Sequence, residues 1–249
     1  MESFYYLLIN LGCIALPFAF SFDSKVNFAS TWKAFLPACF ITLTGFVIWD
    51  VAFTDLGIWG FNPEYLIGID LLNLPIEEWM FFFCIPYACA FTYASVKVYG
   101  PKNPFQSSWK AIAYVLLSIC VFLALMNFNN LYTAYTCLLT ALFLGFHITI
   151  IRRPYFGRLL LTYLFLIVPF LISNGLLTGL CFWEYPVFNW QVNDVADQIV
   201  WYNNNENLGL RIFSVPVEDF IYGFLLISMN ITLYEYFLKR QYHKAASIA

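Results

Sequence analysis

Leu74-Pro75-Ile76-Glu77-Glu78-Trp79-Met80-Phe81-Phe82-Phe83 sets a proline and two adjacent carboxylates at the head of a long apolar run. The run predicts a helix that crosses a membrane, and its head predicts where that helix starts. Proline suits the first helical turn, where its missing N–H costs nothing, and acids there face the positive end of the helix dipole. An ionisable side chain at membrane depth costs roughly 2.5–3.5 kcal/mol on insertion scales, so two in a row imply a partner or a task. The same signature returns as Val215-Pro216-Val217-Glu218-Asp219-Phe220-Ile221-Tyr222. Proline followed by Glu is also an ordinary helix start. Two copies, each with paired acids heading a hydrophobic helix, point to one shared site.

Around the motifs the chain is overwhelmingly apolar: 61% of its 249 residues are hydrophobic and 11% are charged. That balance lies outside the range of soluble domains. Apolar stretches run over Phe4 to Phe20, Trp32 to Phe53, Ile76 to Tyr99, Ala111 to Asn127, Leu131 to Ile151, Leu159 to Trp183 and Val217 to Leu238. The expected fold is therefore all-α, a polytopic membrane bundle of about seven helices with no soluble domain. The first stretch is short and contains Pro17, and the fourth and fifth meet at Asn127-Phe128-Asn129-Asn130, where a re-entrant pair is the alternative. Met1-Glu2-Ser3 brings no positive charge before the first run, which is expected to stay as a span rather than be cleaved as a signal peptide.

Seven spans sort the basic residues. Lys25, Lys33, Lys97, Lys102, Lys110, Arg152, Arg153, Arg158, Lys239, Arg240 and Lys244 fall on one side, leaving Arg211 alone among the 12 on the other. The bias of Lys and Arg toward cytoplasmic loops then puts the N-terminus outside and the C-terminus inside, in the cell (inner) membrane. Glu77-Glu78 and Glu218-Asp219 open the third and seventh helices at one membrane level. Trp49-Asp50 ends the second helix and Ser173-Asn174 lies near the same end of the sixth, so a helix with a polar end, a loop and a proline-acid helix occurs twice. With the fourth helix as linker, residues 1–105 and 131–249 form two parallel repeats joined by 106–130. Asp50 and Asn174 are equivalent in this reading.

Two loops share the acidic side. Glu184 to Arg211 is the longest polar stretch and carries Trp190, Trp201, Tyr202, Asp194, Asp197 and Glu206. It reads as an interfacial lid, its aromatics at headgroup level. The turn-rich Thr54 to Pro63 is expected to pack against it.

Crowded carboxyl groups in a poorly solvated site repel one another, so one keeps a proton while another ionises, giving an acid and a base in one pocket. Trp79, Phe82 and Tyr222 follow the motifs in sequence, and aromatic faces stabilise a cation by about 0.5–2 kcal/mol each when desolvated. Such a pocket suits a reaction through a carbocation, although most aromatics in such a chain must simply face lipid or core. Other chemistry is not written here. There is no Gly-rich nucleotide loop and no basic nucleic-acid patch. The seven cysteines sit in apolar runs as small hydrophobes. His147 and His243 form no metal cluster, and His147 is expected as a hydrogen-bonded core residue. The seventh helix has no interior lysine for a retinal Schiff base. No cofactor and no metal are expected.

Pro75-Ile76-Glu77-Glu78 and Pro216-Val217-Glu218-Asp219 resemble the paired motif of the membrane-integral lycopene cyclase domain family, in its fused two-half form. Trp49-Asp50, Gly57-Ile58-Trp59-Gly60-Phe61-Asn62, Leu208-Gly209-Leu210-Arg211 and Leu233-Tyr234-Glu235 support the resemblance, which spans most of the chain. It implies conversion of the linear ψ ends of lycopene to β-ionone rings, giving γ-carotene and then β-carotene without net redox change. Lycopene and other apolar carotenoids, the bilayer and enzymes of carotenoid synthesis are the implied partners. Glu77, Glu78, Glu218 and Asp219 become the candidate catalytic acids. Asp50, Asn174 and Arg211 are candidates for tuning them, with Arg211 as counter-ion, and Trp79, Phe82 and Tyr222 for holding substrate. Cyclases of the ε type or of C50 carotenoids are alternatives, as are a passive carotenoid scaffold and a proton-coupled carrier. A carrier predicts polar residues at mid-membrane depth, whereas these acids gather at one edge.

Overall fold

The computed structural model describes residues 2–190 and 195–246, with side chains to residue 243, so Asp194 and the side chain of Lys244 lie outside the described residues. Seven long helices form: α1 (Tyr5–Phe20), α2 (Trp32–Asp55), α3 (Ile76–Tyr99), α4 (Trp109–Met126), α5 (Leu131–Phe146, continued by a π turn His147–Ile151), α6 (Tyr155–Thr178) and α7 (Val217–Ala246). Each apolar stretch becomes a helix long and apolar enough to cross a membrane. Asn127 to Asn130 separates two such helices rather than joining a re-entrant pair. The sixth stretch shifts: α6 starts at Tyr155, after Pro154, and stops at Thr178, because Gly179 (φ 168°, ψ 111°) leaves helical backbone and Phe182–Glu184 form a separate short turn.

α3 and α7 occupy the centre. α3 packs against α1, α2, α6 and α7, and α7 against α5, α6, α2 and α3, so α7 meets the counterparts of the helices α3 meets. α4 packs chiefly on α5. At the basic end the centre is tied by Glu235, which accepts from Lys97 Nζ at 2.6 Å and Tyr93 OH at 2.7 Å, while Tyr234 OH bonds Thr31 Oγ1 at 2.9 Å. The Leu233-Tyr234-Glu235 motif is thus an interhelical tie. Pro86 lacks the N–H that the Phe82 carbonyl needs, and Cys39 Sγ approaches that carbonyl instead, at 3.8 Å.

The repeat is sharpest just before α3 and α7. β2 (Asp70–Leu71) pairs antiparallel with β3 (Leu74–Pro75), and β6 (Leu210–Ile212) with β7 (Val215–Pro216). The registers Asp70 to Pro75 and Arg211 to Pro216 correspond, as do positive φ angles at Gly68 and Gly209 and at Leu72 and Phe213. Both prolines end a strand immediately before the helix. Pro75 is the N-cap, in extended backbone (φ −64°, ψ 148°), rather than a residue of the first turn.

The two loops at this end join. β1 (Trp59–Phe61) pairs antiparallel with β5 (Val200–Tyr202), so the Thr54–Pro63 loop does pack against the long one, whose β4 (Phe188–Trp190) adds to β6. Gly60 makes the first pairing possible: a Cβ there would sit 2.3 Å from Trp201 Cζ2. Gly60→Ala is expected to displace the Trp201 ring and cost about 1–3 kcal/mol, as overpacking does. A thermal-melt midpoint unchanged from the parent would show that the ring moves freely.

One sequence expectation fails in the core. His147 is buried, yet neither ring nitrogen has a hydrogen-bond partner among the described residues. It packs among rings instead, 4.4 Å from Phe156 and 5.5 Å from Trp109, because the π turn aims it into an aromatic cluster.

Candidate active site

Adjacent residues of a helix point about 100° apart, so the two acids of each motif must serve different surroundings. Glu77 and Glu218 turn back to their hairpins. Glu77 Oε1 accepts from the Ile67 N–H at 2.7 Å. Glu218 Oε1 accepts from the Leu208 N–H at 2.8 Å and from Thr133 Oγ1 at 2.6 Å. Both side chains are buried. The loop backbone therefore closes onto the start of the helix through a carboxylate in each repeat.

Glu78 and Asp219 face the bundle interior. Glu78 Oε2 accepts a short hydrogen bond from Tyr6 OH of α1. Asp219 Oδ1 accepts from Tyr132 OH of α5 at 2.5 Å, and its Oδ2 from Asn174 Nδ2 at 2.6 Å and Tyr202 OH at 3.0 Å. Tyr6 and Tyr132 are repeat counterparts on α1 and α5, and Asp50 and Asn174 on α2 and α6. Asp50 takes a short bond from Trp59 Nε1, and its carboxyl lies close enough to that of Glu78 for the two to interact electrostatically. The sequence pairing of Asp50 with Asn174 thus holds in space, each beside the second acid of its own half. The substitution matters chemically. Two carboxyl groups hydrogen-bond only with a proton between them, whereas an amide N–H donates to an ionised carboxylate without one.

Both clusters line one cavity of about 160 Å³ enclosed by α1, α3, α6 and α7. Asp50, Glu78 and Asp219 stand at one end, and the walls continue through Phe81, Tyr163 and Tyr222 to apolar residues such as Leu166 and Ile227. Trp59, Tyr132, Tyr202 and Tyr222 stack or meet edge to face around the acids, with centroids 5.1 to 6.4 Å apart. A single space therefore holds carboxyl groups from both halves, beside aromatic faces.

The structure sorts the other sequence candidates. Tyr222 lines the cavity. Trp79 donates to the Leu71 carbonyl at 3.2 Å, on its own hairpin. Phe82 is buried against Phe46, with rings 6.1 Å apart, outside the cavity lining. Arg211 is buried and makes no ion pair among the described residues: its guanidinium donates to the Ser214 carbonyl at 2.7 Å and Asn204 Oδ1 at 2.9 Å. Its guanidinium thus braces the loop while its charge still acts on Asp219 and Glu218, and it lies 5.8 Å from the Tyr202 ring centroid. Burial raises the Tyr202 hydroxyl well above its usual value, with Asp219 adding to the effect, which keeps Tyr202 a donor.

Sequence reasoning missed Tyr6, Tyr132, Trp59 and Tyr202. The first two carried a signal, a tyrosine at the same point of the first helix in each repeat. Trp59 stood in a supporting motif and Tyr202 among the lid aromatics, but nothing local placed either at the acids, because it is the β1–β5 pairing that brings them there.

Seven membrane-length helices among the described residues, around a cavity of acids and aromatic rings at one end of the bundle, define a multi-pass membrane protein. A family model described as lycopene cyclase matches residues 3–96 and 129–237, one segment for each repeat. The chain belongs to the lycopene cyclase family. No curated protein and no solved structure matches in the corresponding comparisons. Membership in a family of carotenoid cyclases assigns the chain to carotenoid biosynthesis.

Proposed function

We propose that this protein is a lycopene β-cyclase, an isomerase that closes rings by proton addition and proton removal. The observation that carries the reading is the shared cavity, into which Asp50 and Glu78 of one half and Asp219 of the other both open. The Asp50–Glu78 pair supplies the proton, which adds to the terminal double bond of a ψ end. The resulting tertiary cation is attacked by the neighbouring double bond, closing a six-membered ring and moving the charge into it. Ring faces of Trp59, Tyr132 and Tyr222 hold that cation. Asp219, which accepts from three donors and so needs no proton of its own, takes a ring proton to set the new double bond. One proton enters and one leaves, so no electron carrier is needed.

In this reading Glu77 and Glu218 hold the hairpins rather than react. Residues 1–105 and 131–249 are the halves, 106–130 links them, and the acidic end faces away from the cytoplasm with the N-terminus. The bilayer supplies the substrate through the rim at Pro169, exposed on the apolar outer surface of α6. The test is pigment analysis of lycopene-accumulating cells expressing the parent and Asp219→Asn. The parent is expected to yield β-carotene, and the variant at least about 100-fold less, the usual scale for a lost general base. Rings whose double bond lies in the ε position would give the reaction to an ε-type cyclase, and no ring at all from inserted parent would reject the cyclase reading.

A further inference from the structure

The repeat creates two equivalent crevices: one holds the cavity, and in the other aromatic side chains pack together. The cavity lies between α6 and α7, against α3; its counterpart lies between α2 and α3, against α7. Counting along the repeats, Phe46 corresponds to Phe170, Trp49 to Ser173 and Phe82 to Gly223. In the counterpart, Phe82 lies 6.1 Å from Phe46, and Trp49 lies 4.9 Å from Tyr222, so aromatic side chains fill it. In the cavity, a Cβ on Gly223 would already touch Phe170 at 3.4 Å, so any large side chain there enters the open space. The remaining volume, about 160 Å³, is close to that of an apolar cavity known to hold one benzene-sized ring. It takes one chain end and not two.

Resting on the function proposed above, we infer that the chain has one cyclisation site and treats the two ends of a linear carotene in separate encounters, releasing the monocyclic product between them. Both halves contribute acid groups to that site. The other end, at the far extremity of the extended polyene, cannot replace its partner in the cavity unless the molecule withdraws and reverses. Gly223 and Ser173 are the residues that keep the site open, and Phe82 and Trp49 those that close its counterpart.

The experiment uses the full chain in liposomes with isotopically labelled lycopene and an excess of unlabelled γ-carotene. Release between encounters predicts that label in β-carotene falls in proportion to the unlabelled excess, about tenfold for a tenfold excess. Full label in β-carotene despite that excess overturns the inference while leaving the cyclase reading intact. A chain that stops at γ-carotene and leaves added γ-carotene uncyclised also overturns it. Absence of any ring from the parent instead rejects the proposed function itself. Gly223→Phe, carrying the residue of the equivalent position, is expected to lower cyclisation of lycopene and of γ-carotene to the same extent, at least tenfold. Loss of one step alone would reveal a second site. The label-dilution result stands without the variant, so misfolding of Gly223→Phe does not weaken the test.

Discussion

Glu78→Gln is expected to leave lycopene uncyclised in cells that accumulate it, with product falling at least about 100-fold, the usual contribution of a positioned proton donor. The amide carbonyl can still accept from Tyr6 OH, the one listener Glu78 has on α1, and the amide differs from the carboxyl by little in size. The protein should therefore reach the membrane at the parent's level. What the amide cannot do is carry an acidic proton beside Asp50, on which the proposed proton donation depends. Pigments are separated by chromatography and the membrane protein is quantified in the same cells. Cyclisation within tenfold of the parent would remove Glu78 from the chemistry. Asp50→Asn should show a loss of similar size, because the pair works as a unit.

Glu218 is expected to behave oppositely. Glu218→Ala leaves the buried Thr133 hydroxyl and the Leu208 N–H without their acceptor. Each orphaned group costs about 1–3 kcal/mol. The total is a large part of the 5–15 kcal/mol by which folded domains are stable. The Ala variant should accordingly be lost from the membrane or melt far below the parent. Glu218→Gln keeps an oxygen at that point, so it should fold and retain cyclisation within about tenfold. A well-inserted Glu218→Gln protein that makes no rings would place Glu218 in the reaction and overturn the division of labour between the two acids of each motif. Glu77→Ala should cost less, since its side chain accepts one backbone N–H where Glu218 has two donors.

These paired predictions mark where sequence reading stopped. Composition and the length of the apolar runs predicted seven helices, and the ends of α2, α3 and α5 came within a few residues because proline, charge and asparagine bound them. The two proline-acid motifs placed four carboxyl groups at one end of the bundle. Nothing in Glu77-Glu78 or Glu218-Asp219 says which acid looks inward. That depends on the rotation of each helix, and the rotation is set by the hairpin that caps it and by the helices packed around it. Arg211 illustrates the same limit. As the single base on the acidic side it read as a counter-ion, yet loop geometry points its donors at Ser214 and Asn204. Phe82 and Tyr222 were equivalent as aromatic candidates, and only packing sends one into a filled crevice and the other into the cavity.

By itself, then, the sequence determined that the chain crosses a membrane about seven times, that it repeats, and where two pairs of acids head their helices, since hydropathy and residue order act locally along the chain. Tertiary structure alone decided that Asp50, Glu78 and Asp219 share one space, that Tyr6, Tyr132, Trp59 and Tyr202 supply its donors, and that one of two equivalent crevices stays open. Those outcomes depend on distances between residues far apart in sequence, which close packing of the helices sets and local pattern does not.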